Sequence, residues 1–236
     1  MSPHTKQFII HNDKSSEIVA ESDFDNPPQL TTDKNHLTLV FDLHGVIFRM
    51  SPYLIIKHAL KCPHKLSMLK LLFNFRFIKD LLHALAYKKV IEEAIYLLAE
   101  KYTDFAHIKE TAIAIANAQK PTTHMETILK ALRKNQYQLI AFSNIGDTSI
   151  QMLSTQYPKI FNLFDTIIHS NKSDGYIAKP SPESFKKLLK YTGHKNIIFI
   201  DDTEKNIQQA DQHGLQSIFF INSFILEQTL HQIGII

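Results

Sequence analysis

Two short apolar runs in this chain end in carboxylates, and they constrain the fold more than any other feature. Asp42 directly follows residues 37–41, and Asp201 and Asp202 directly follow residues 196–200. Short apolar runs rich in β-branched residues are typical of buried parallel strands. Open α/β sheets bind their ligands at the carboxyl ends of such strands. Because Mg²⁺ takes oxygen ligands from few side chains, these acids predict a hard-cation site.

Length and composition exclude several classes of protein. The 236 residues suit one α/β domain with a small insertion, and 44% hydrophobic residues suffice for a core. The net charge of +3 is too small to indicate nucleic-acid binding, so we expect no nucleic-acid partner. A single cysteine excludes a disulfide framework, and no apolar stretch is long enough to cross a bilayer. We therefore expect a cytoplasmic protein, and the sequence leaves its oligomeric state open.

Three parts follow one another along the chain. Residues 1–35 are polar and predict a mobile N-terminal arm. Residues 36–50 and 119–236 alternate strand-like and helix-like runs, which predicts an α/β core with a doubly wound (Rossmann-like) parallel sheet. Residues 51–118 carry apolar residues at three- and four-residue spacing, which predicts an inserted all-helical cap. In the second half, the predicted strands are 138–142, 166–169, 196–200 and 217–221, and the predicted helices are 124–135, 149–157, 182–192 and 205–213.

Four short segments of the α/β part fall at the ends of successive strands. In chain order they are Asp42-Leu43-His44-Gly45-Val46, Phe142-Ser143-Asn144, Lys179-Pro180-Ser181-Pro182-Glu183 and Asp201-Asp202. In order and spacing they resemble the four motifs of the haloacid dehalogenase-like hydrolase superfamily, and the resemblance covers roughly residues 37–221. The helical insertion after the first motif is similar to the small cap of phosphatase-like members.

This resemblance implies a role for each motif residue. Asp42 would be the nucleophile that forms an aspartyl-phosphate, and Lys179 would neutralise both Asp42 and the phosphoryl group. Ser143 and the amide of Asn144 would bind the phosphoryl oxygens of a small phosphorylated substrate. The implied Mg²⁺ site consists of Asp42, the main-chain carbonyl of His44, Asp202 and, next to them, Asp201. Read without the resemblance, an Asp at a strand end often caps a turn or a helix, and Ser143 and Asn144 have the same simple explanation.

His44 departs from the pattern of the family's phosphatases. They usually carry a second aspartate at this position, which protonates the leaving group and then activates water. Histidine, with an ordinary pKa near 6.5, is also able to act as a general acid or base, although its ring is larger and aimed differently. Three outcomes stay open: a phosphatase that uses His44, an enzyme limited to good leaving groups, and a phosphate- or anionic-ligand-binding protein without useful turnover. The acids Asp201 and Asp202 argue against dehalogenation, because the family's dehalogenases lack them.

The predicted cap is strongly basic between Lys57 and Lys89. Its positive residues are Lys57, Lys61, Lys65, Lys70, Arg76, Lys79, Lys88 and Lys89. Asp80 is the one acid in this stretch, and leucine and phenylalanine residues are interleaved with the charges. One interpretation is an ordinary cap that packs its apolar residues inward and exposes its lysines. The other is a face that attracts an anionic partner, including a membrane headgroup layer.

Overall fold

A mostly parallel sheet lies at the centre of the computed structural model, which describes residues 8–12, 15–19, 37–87, 90–193 and 196–236. The strands are β1 (Phe8–Asn12), β2 (Ser15–Val19), β3 (Thr38–Phe41), β4 (Phe48–Met50), β5 (Gln119–Pro121), β6 (Gln138–Ser143), β7 (Thr166–His169), β8 (Ile197–Asp201) and β9 (Gln216–Phe219). The strand order in the main sheet is β2-β1-β9-β8-β3-β6-β7, and β4 pairs with β5 separately. After β3 the chain builds β6 and β7 on one side, then returns to build β8 and β9 on the other. This order confirms the doubly wound α/β class and makes the end of β3 the switch point at which such sheets bind ligands.

Helices cover both faces of the sheet and fill the insertion. They are α1 (Pro52–Leu60), α2 (Lys65–Leu72), α3 (Phe75–Tyr87), α4 (Ile91–Lys101), α5 (Thr103–Ala116), α6 (Met125–Lys134), α7 (Asp147–Gln156), α8 (Pro158–Phe161), α9 (Pro182–Thr192), α10 (Glu204–Gln212) and α11 (Ser223–Gln232). Helices α1–α5 lie between β4 and β5, and residues 52–116 are called the helical segment below. The division into a core and a cap domain stays a prediction.

Both faces of the parallel strands are buried, which explains their continuous apolar sequence. In β3, Leu39 and Phe41 belong to the apolar cluster on one face, and Val40 belongs to the cluster on the other. A third apolar cluster lies inside the helical segment and includes Phe77 and Phe105. The helical segment therefore has an interior of its own.

Two strands at one side of the sheet, β1 and β2, lie within residues 1–35, for which the sequence predicts a mobile arm. β1 and β2 pair antiparallel with each other, and β1 pairs antiparallel with β9, with Ile10 opposite Ile218. The sheet is thus mixed rather than wholly parallel. Edge pairing uses main-chain groups, so it does not require the apolar pattern that identified the central strands. The rest of the predicted arm, together with Lys88 and Lys89, lies outside the described residues.

Candidate active site

Asp42 directly follows the central strand β3. Its main-chain N–H donates to the carbonyl of Ile200 in β8 at 2.9 Å, which fixes the aspartate between the two strands. The chain then turns at Gly45, whose φ is +97°, and the N–H of Gly45 donates to the carbonyl of Phe48 at 2.7 Å. A Cβ atom at Gly45 would lie 2.0 Å from Oδ2 of Asp202. Only glycine therefore allows the first motif to approach the Asp202 carboxylate this closely.

The ammonium group of Lys179, which belongs to the third motif, forms hydrogen bonds with residues of the other three motifs. Its Nζ donates to Oδ1 of Asp42 at 2.9 Å, to Oδ2 of Asp201 at 2.7 Å and to the main-chain carbonyl of Phe142 at 2.7 Å. The rings of Phe142 and Phe199 flank the ammonium, with centroids 5.1 and 5.3 Å away. Lys179 is only 2% exposed. All three of its donors are used, so the buried charge is fully compensated.

The buried charges shift one another's pKa. Burial raises the pKa of Asp42 to about 7, Lys179 opposes that shift, and Asp201 reinforces it. Burial acts to lower the pKa of Lys179, but the attraction of Asp42 and Asp201 outweighs it, so this pKa lies above its ordinary value. Burial and the neighbouring Asp201 raise the pKa of Asp202. A single lysine therefore does not neutralise all three carboxylates, and the site has room for further positive charge.

Asp201 is held by hydrogen bonds on both of its oxygens. Oδ1 accepts from the main-chain N–H of Thr203 and from Nδ2 of Asn206, both at 2.9 Å. Oδ2 accepts from Lys179 and, at 3.0 Å, from the same Asn206 nitrogen. The sequence analysis assigned no role to Asn206, although its place in the first helical turn after the Asp201-Asp202 pair was a usable signal. Asp201 thus orients Lys179 and the start of α10, and Asp202 is left to face a ligand.

The three aspartates form a group that suits a divalent cation. One carboxylate oxygen from each of Asp42, Asp201 and Asp202 lies within 4.8 Å of the other two. All of these donors are hard oxygens, which is the ligand type that Mg²⁺ prefers. Lys179 lies between Asp42 and Asp201, so the side of the cluster formed by Asp42 and Asp202 is the one on which a cation fits.

Ser143 is the last residue of β6, Asn144 follows it, and both border the same cavity as Asp42. The side chain of Asn144 is already engaged: its Oδ1 accepts from the main-chain N–H of Lys179 at 2.7 Å, and its Nδ2 donates to the carbonyl of Lys179 at 2.8 Å. This pairing fixes the third motif beside the second. It leaves the main-chain amide of Asn144, rather than its side chain, for a phosphoryl group.

A cavity of about 420 Å³ separates these motifs from the helical segment. Asp42, Lys179 and Asp202 border its polar end, and the exposed side chain of His44 borders it too. The remaining wall is largely apolar, and the residues that form it are Met50, Ile91, Ile95, Ile113, Ala116 and Ile145. Gln119 also borders the cavity, and its buried Oε1 has no hydrogen-bond partner among the described residues.

Glu92 attaches the helical segment to the core beside the cavity, a role that the sequence did not reveal. It belongs to α4, and its carboxylate accepts from the main-chain N–H groups of Thr148 and Ser149 in the first turn of α7, each at 3.3 Å. The N-cap residue of α7 is Gly146, which has no side chain to satisfy these groups. A Cβ atom at Gly146 would lie 2.4 Å from Oε2 of Glu92. Glycine therefore leaves the space into which the carboxylate inserts.

The family of the chain follows from the match of residues 40–220 to the family model for haloacid dehalogenase-like hydrolases. The chain belongs to this family. The match spans all four motifs around the cavity and confirms the superfamily that the motifs predicted. No curated protein matches the chain in sequence.

Solved structures of haloacid dehalogenase-like (HAD) proteins share this fold at low sequence identity. A HAD family enzyme from Bacteroides thetaiotaomicron is 20% identical, with a TM-score of 0.56 over 77% of this chain and 91% of that chain. An aspartate-to-alanine mutant of that enzyme, in complex with magnesium and inorganic phosphate, has a TM-score of 0.53 at 20% identity over 77% and 92%. The L-2-haloacid dehalogenase from Xanthobacter autotrophicus, with chloropropionic acid covalently bound, has a TM-score of 0.54 at 16% identity over 84% of each chain. These identities establish the fold and not the reaction.

Proposed function

We propose that this HAD-like hydrolase is a Mg²⁺-dependent phosphomonoester phosphatase that acts through Asp42. The observation that carries the proposal is the pairing of Asp42 with Lys179 beside the Asp202 carboxylate. A carboxylate attacks an anionic phosphoryl group only where positive charge stabilises both of them. Lys179 supplies one such charge. Asp42, Asp202 and the main-chain carbonyl of His44 would hold Mg²⁺, which supplies the other when bound.

Each residue then has a part in two successive transfers. An Asp42 oxygen attacks phosphorus, the ester P–O bond breaks, and His44 gives a proton to the departing oxygen. His44 then takes a proton from water, whose oxygen attacks the phosphorus of the aspartyl-phosphate and releases phosphate and Asp42. The Ser143 hydroxyl and the Asn144 main-chain amide bind phosphoryl oxygens. Asp201 positions Lys179 and is not needed as a ligand, because its oxygens already accept hydrogen bonds.

The helical segment acts in this proposal as a cap over a small substrate in the cytoplasm. Its residues Ile91, Ile95 and Ile113 form the wall opposite the phosphate end. A leaving group with a compact apolar body suits this wall, and water is excluded when the cap closes over it. The division into core and cap that the sequence predicted thereby gains a function.

A second candidate is a phosphate-binding protein of the same fold without useful turnover. The observation that favours it is the state of His44: the ring is exposed, and none of the described residues forms a hydrogen bond with it. An acid or base that nothing orients transfers protons poorly.

Hydrolysis of an aryl phosphate separates the two candidates. The wild type should turn over with Mg²⁺ and stop when a chelator removes the metal, while Asp42→Asn should be inactive and still folded by circular dichroism. Asp104→Asn, a change on the outside of α5, is the control and should keep the wild-type rate. If the wild type is silent and His44→Asp gains activity, the phosphate site is intact and the binding-protein candidate is correct. Equal rates for wild type and Asp42→Asn would disprove the proposed nucleophile.

A further inference from the structure

Helices α1–α3 expose large apolar side chains in regular rows. These residues are Tyr53, Ile56 and Leu60 on α1; Leu66, Leu69, Leu72 and Phe73 at α2 and its C-cap; and Phe75 and Leu82 on α3. In each of the first two helices the row has members at positions i, i+3 and i+7, and on α3 the pair is spaced i, i+7. This spacing places the members of a row on one helix face. Phe73 and Phe75 are 76% and 86% exposed, so their rings stand almost wholly in solvent.

Packing inside the helical segment does not use these rows. Helices α2 and α3 bury a second set of apolar residues, including Leu71 and Phe77, against α4 and α5, whereas α1 has no buried residue. Phe77 makes ring contacts with Tyr102 and Phe105 at centroid distances of 5.3 Å each. The interior of the segment is thus complete without the outer rows. Large apolar side chains exposed in such numbers are typical of an interaction site.

Positive charges surround the rows and are not neutralised. Lys57, Lys61, Lys65 and Lys79 are exposed, and none of them forms an ion pair within the part of the chain that the structure describes. The single acid of the stretch, Asp80, is occupied by Lys101 of α4 and by the hydroxyl of Tyr102 at 2.6 Å. The face therefore presents apolar side chains within a field of unpaired cations. We call these exposed residues of α1–α3 the basic apolar face.

We propose that the basic apolar face binds the surface of a membrane that contains anionic lipid. The leucine side chains and the phenylalanine rings would enter the boundary between headgroups and acyl chains, while the lysines extend their ammonium groups to lipid phosphates. Among the described residues, no helix is long and apolar enough to cross a membrane. A second copy of the chain fits this face less well, because two sets of unpaired lysines would then be brought together.

Vesicle co-sedimentation with the full chain tests the proposal. The wild type should sediment with phosphatidylcholine vesicles that contain about a third phosphatidylserine, and it should stay in solution with pure phosphatidylcholine. Reversing three charges, Lys57→Glu with Lys61→Glu and Lys65→Glu, should weaken binding by about 100-fold or more, because each basic residue near an anionic surface contributes about fivefold and three together contribute about 150-fold. The control variant reverses the charges of Lys186, Lys190 and Lys205 by replacement with glutamate. These lysines are exposed on the α/β core, so the control should bind as the wild type does.

A second pair of variants tests the apolar part. Phe73→Ser with Phe75→Ser should abolish sedimentation while the circular dichroism spectrum stays unchanged, since both rings are exposed. Phe224→Ser, at a ring that is 63% exposed on α11, is the matched control and should bind normally. The proposal is overturned if the wild type does not sediment with anionic vesicles. It is equally overturned if the double variant Phe73→Ser with Phe75→Ser binds these vesicles as well as the control Phe224→Ser does. It is also overturned if light scattering shows a dimer that Phe73→Ser with Phe75→Ser dissociates, because a second copy then covers the face.

Discussion

His44 borders the cavity, and in the proposed reaction its imidazole gives a proton and then takes one back. The replacement His44→Ala should lower kcat by about 10²–10⁴, the usual contribution of a positioned acid or base. With an activated aryl phosphate the first transfer needs no acid, because the phenolate leaves unprotonated. Rapid mixing should therefore show a burst of about one equivalent of phenolate, followed by slow turnover as the aspartyl-phosphate accumulates.

His231→Ala is the control for this change, because His231 is exposed on α11, far along the chain from every motif. It should keep the wild-type kcat. An unchanged kcat for His44→Ala would show that the histidine is neither the acid nor the base.

The raised pKa of Asp42 makes Mg²⁺ binding depend on pH. The native protein holds the Asp42 proton up to about pH 7, whereas the ordinary carboxyl pKa is 3.8. The native state then binds more protons than the unfolded state between these values, so the stability of the metal-free protein falls as pH rises through this window. Mg²⁺ has to displace that proton, so its affinity should fall about tenfold between pH 8 and pH 6.

Calorimetric titration with Mg²⁺ at several pH values measures this dependence. Asp42→Asn should bind more weakly but with a flatter pH profile, and the raised pKa of Asp202 accounts for the slope that it keeps. A wild-type affinity that stays constant from pH 6 to pH 8 would contradict the assignment of Asp42 as a ligand.

The same residues show what sequence can and cannot predict about a site. Asp42, Lys179, Asp201 and Asp202 were all singled out in advance, and the structure brings them together. Strand ends in a parallel sheet meet at one edge, so motif order alone predicts this proximity. The hydrogen bonds of Asn206 with Asp201, and those of the Asn144 side chain with the main chain of Lys179, were not predicted, because they depend on side-chain directions that no spacing encodes.

Among the elements, α4 and α7 are linked through the carboxylate of Glu92. A carboxylate at a helix N-terminus satisfies free N–H groups and interacts favourably with the helix dipole. Glu92→Ala should therefore lower the free energy of unfolding by about 1 kcal/mol, as loss of a helix cap does. Urea denaturation measures the loss, and Glu100→Ala, at an exposed position on the same helix, is the control that should change little. Equal effects of the two replacements would mean that the link contributes nothing.

Prediction from sequence succeeds unevenly for the elements as well. The helix 182–192 and the strand 166–169 agree with α9 and β7 residue for residue, because prolines and apolar runs delimit them. Strands β1 and β2 were missed, because the polar composition of residues 1–35 does not show the apolar runs that identified the central strands. The sequence allowed two interpretations of the exposed apolar rows of α1–α3: an ordinary cap that packs them inward, and a face that binds an anionic partner. Helical spacing identifies an apolar face, but it does not show whether another element covers that face.

At the scale of the whole molecule, the substrate cavity exists only where the helical segment meets the core. The core supplies the polar end with Asp42, and α4 and α5 supply much of the apolar wall, so the proposed function divides chemistry and substrate preference between two parts of the chain. Replacements in α4 should therefore change which ester is preferred without removing the machinery around Asp42.

Two residues of α4 allow a matched test of this division. Ile91 and Leu97 are 48% and 45% exposed, but only Ile91 borders the cavity described here. Ile91→Asn should lower kcat/KM for phenyl phosphate by about tenfold, the cost of losing roughly 1.4 kcal/mol of apolar contact, and should affect glycerol phosphate far less. Leu97→Asn should leave both values unchanged. If Ile91→Asn lowers kcat/KM for both esters equally, the wall does not contact the leaving group, and the cap contributes closure alone.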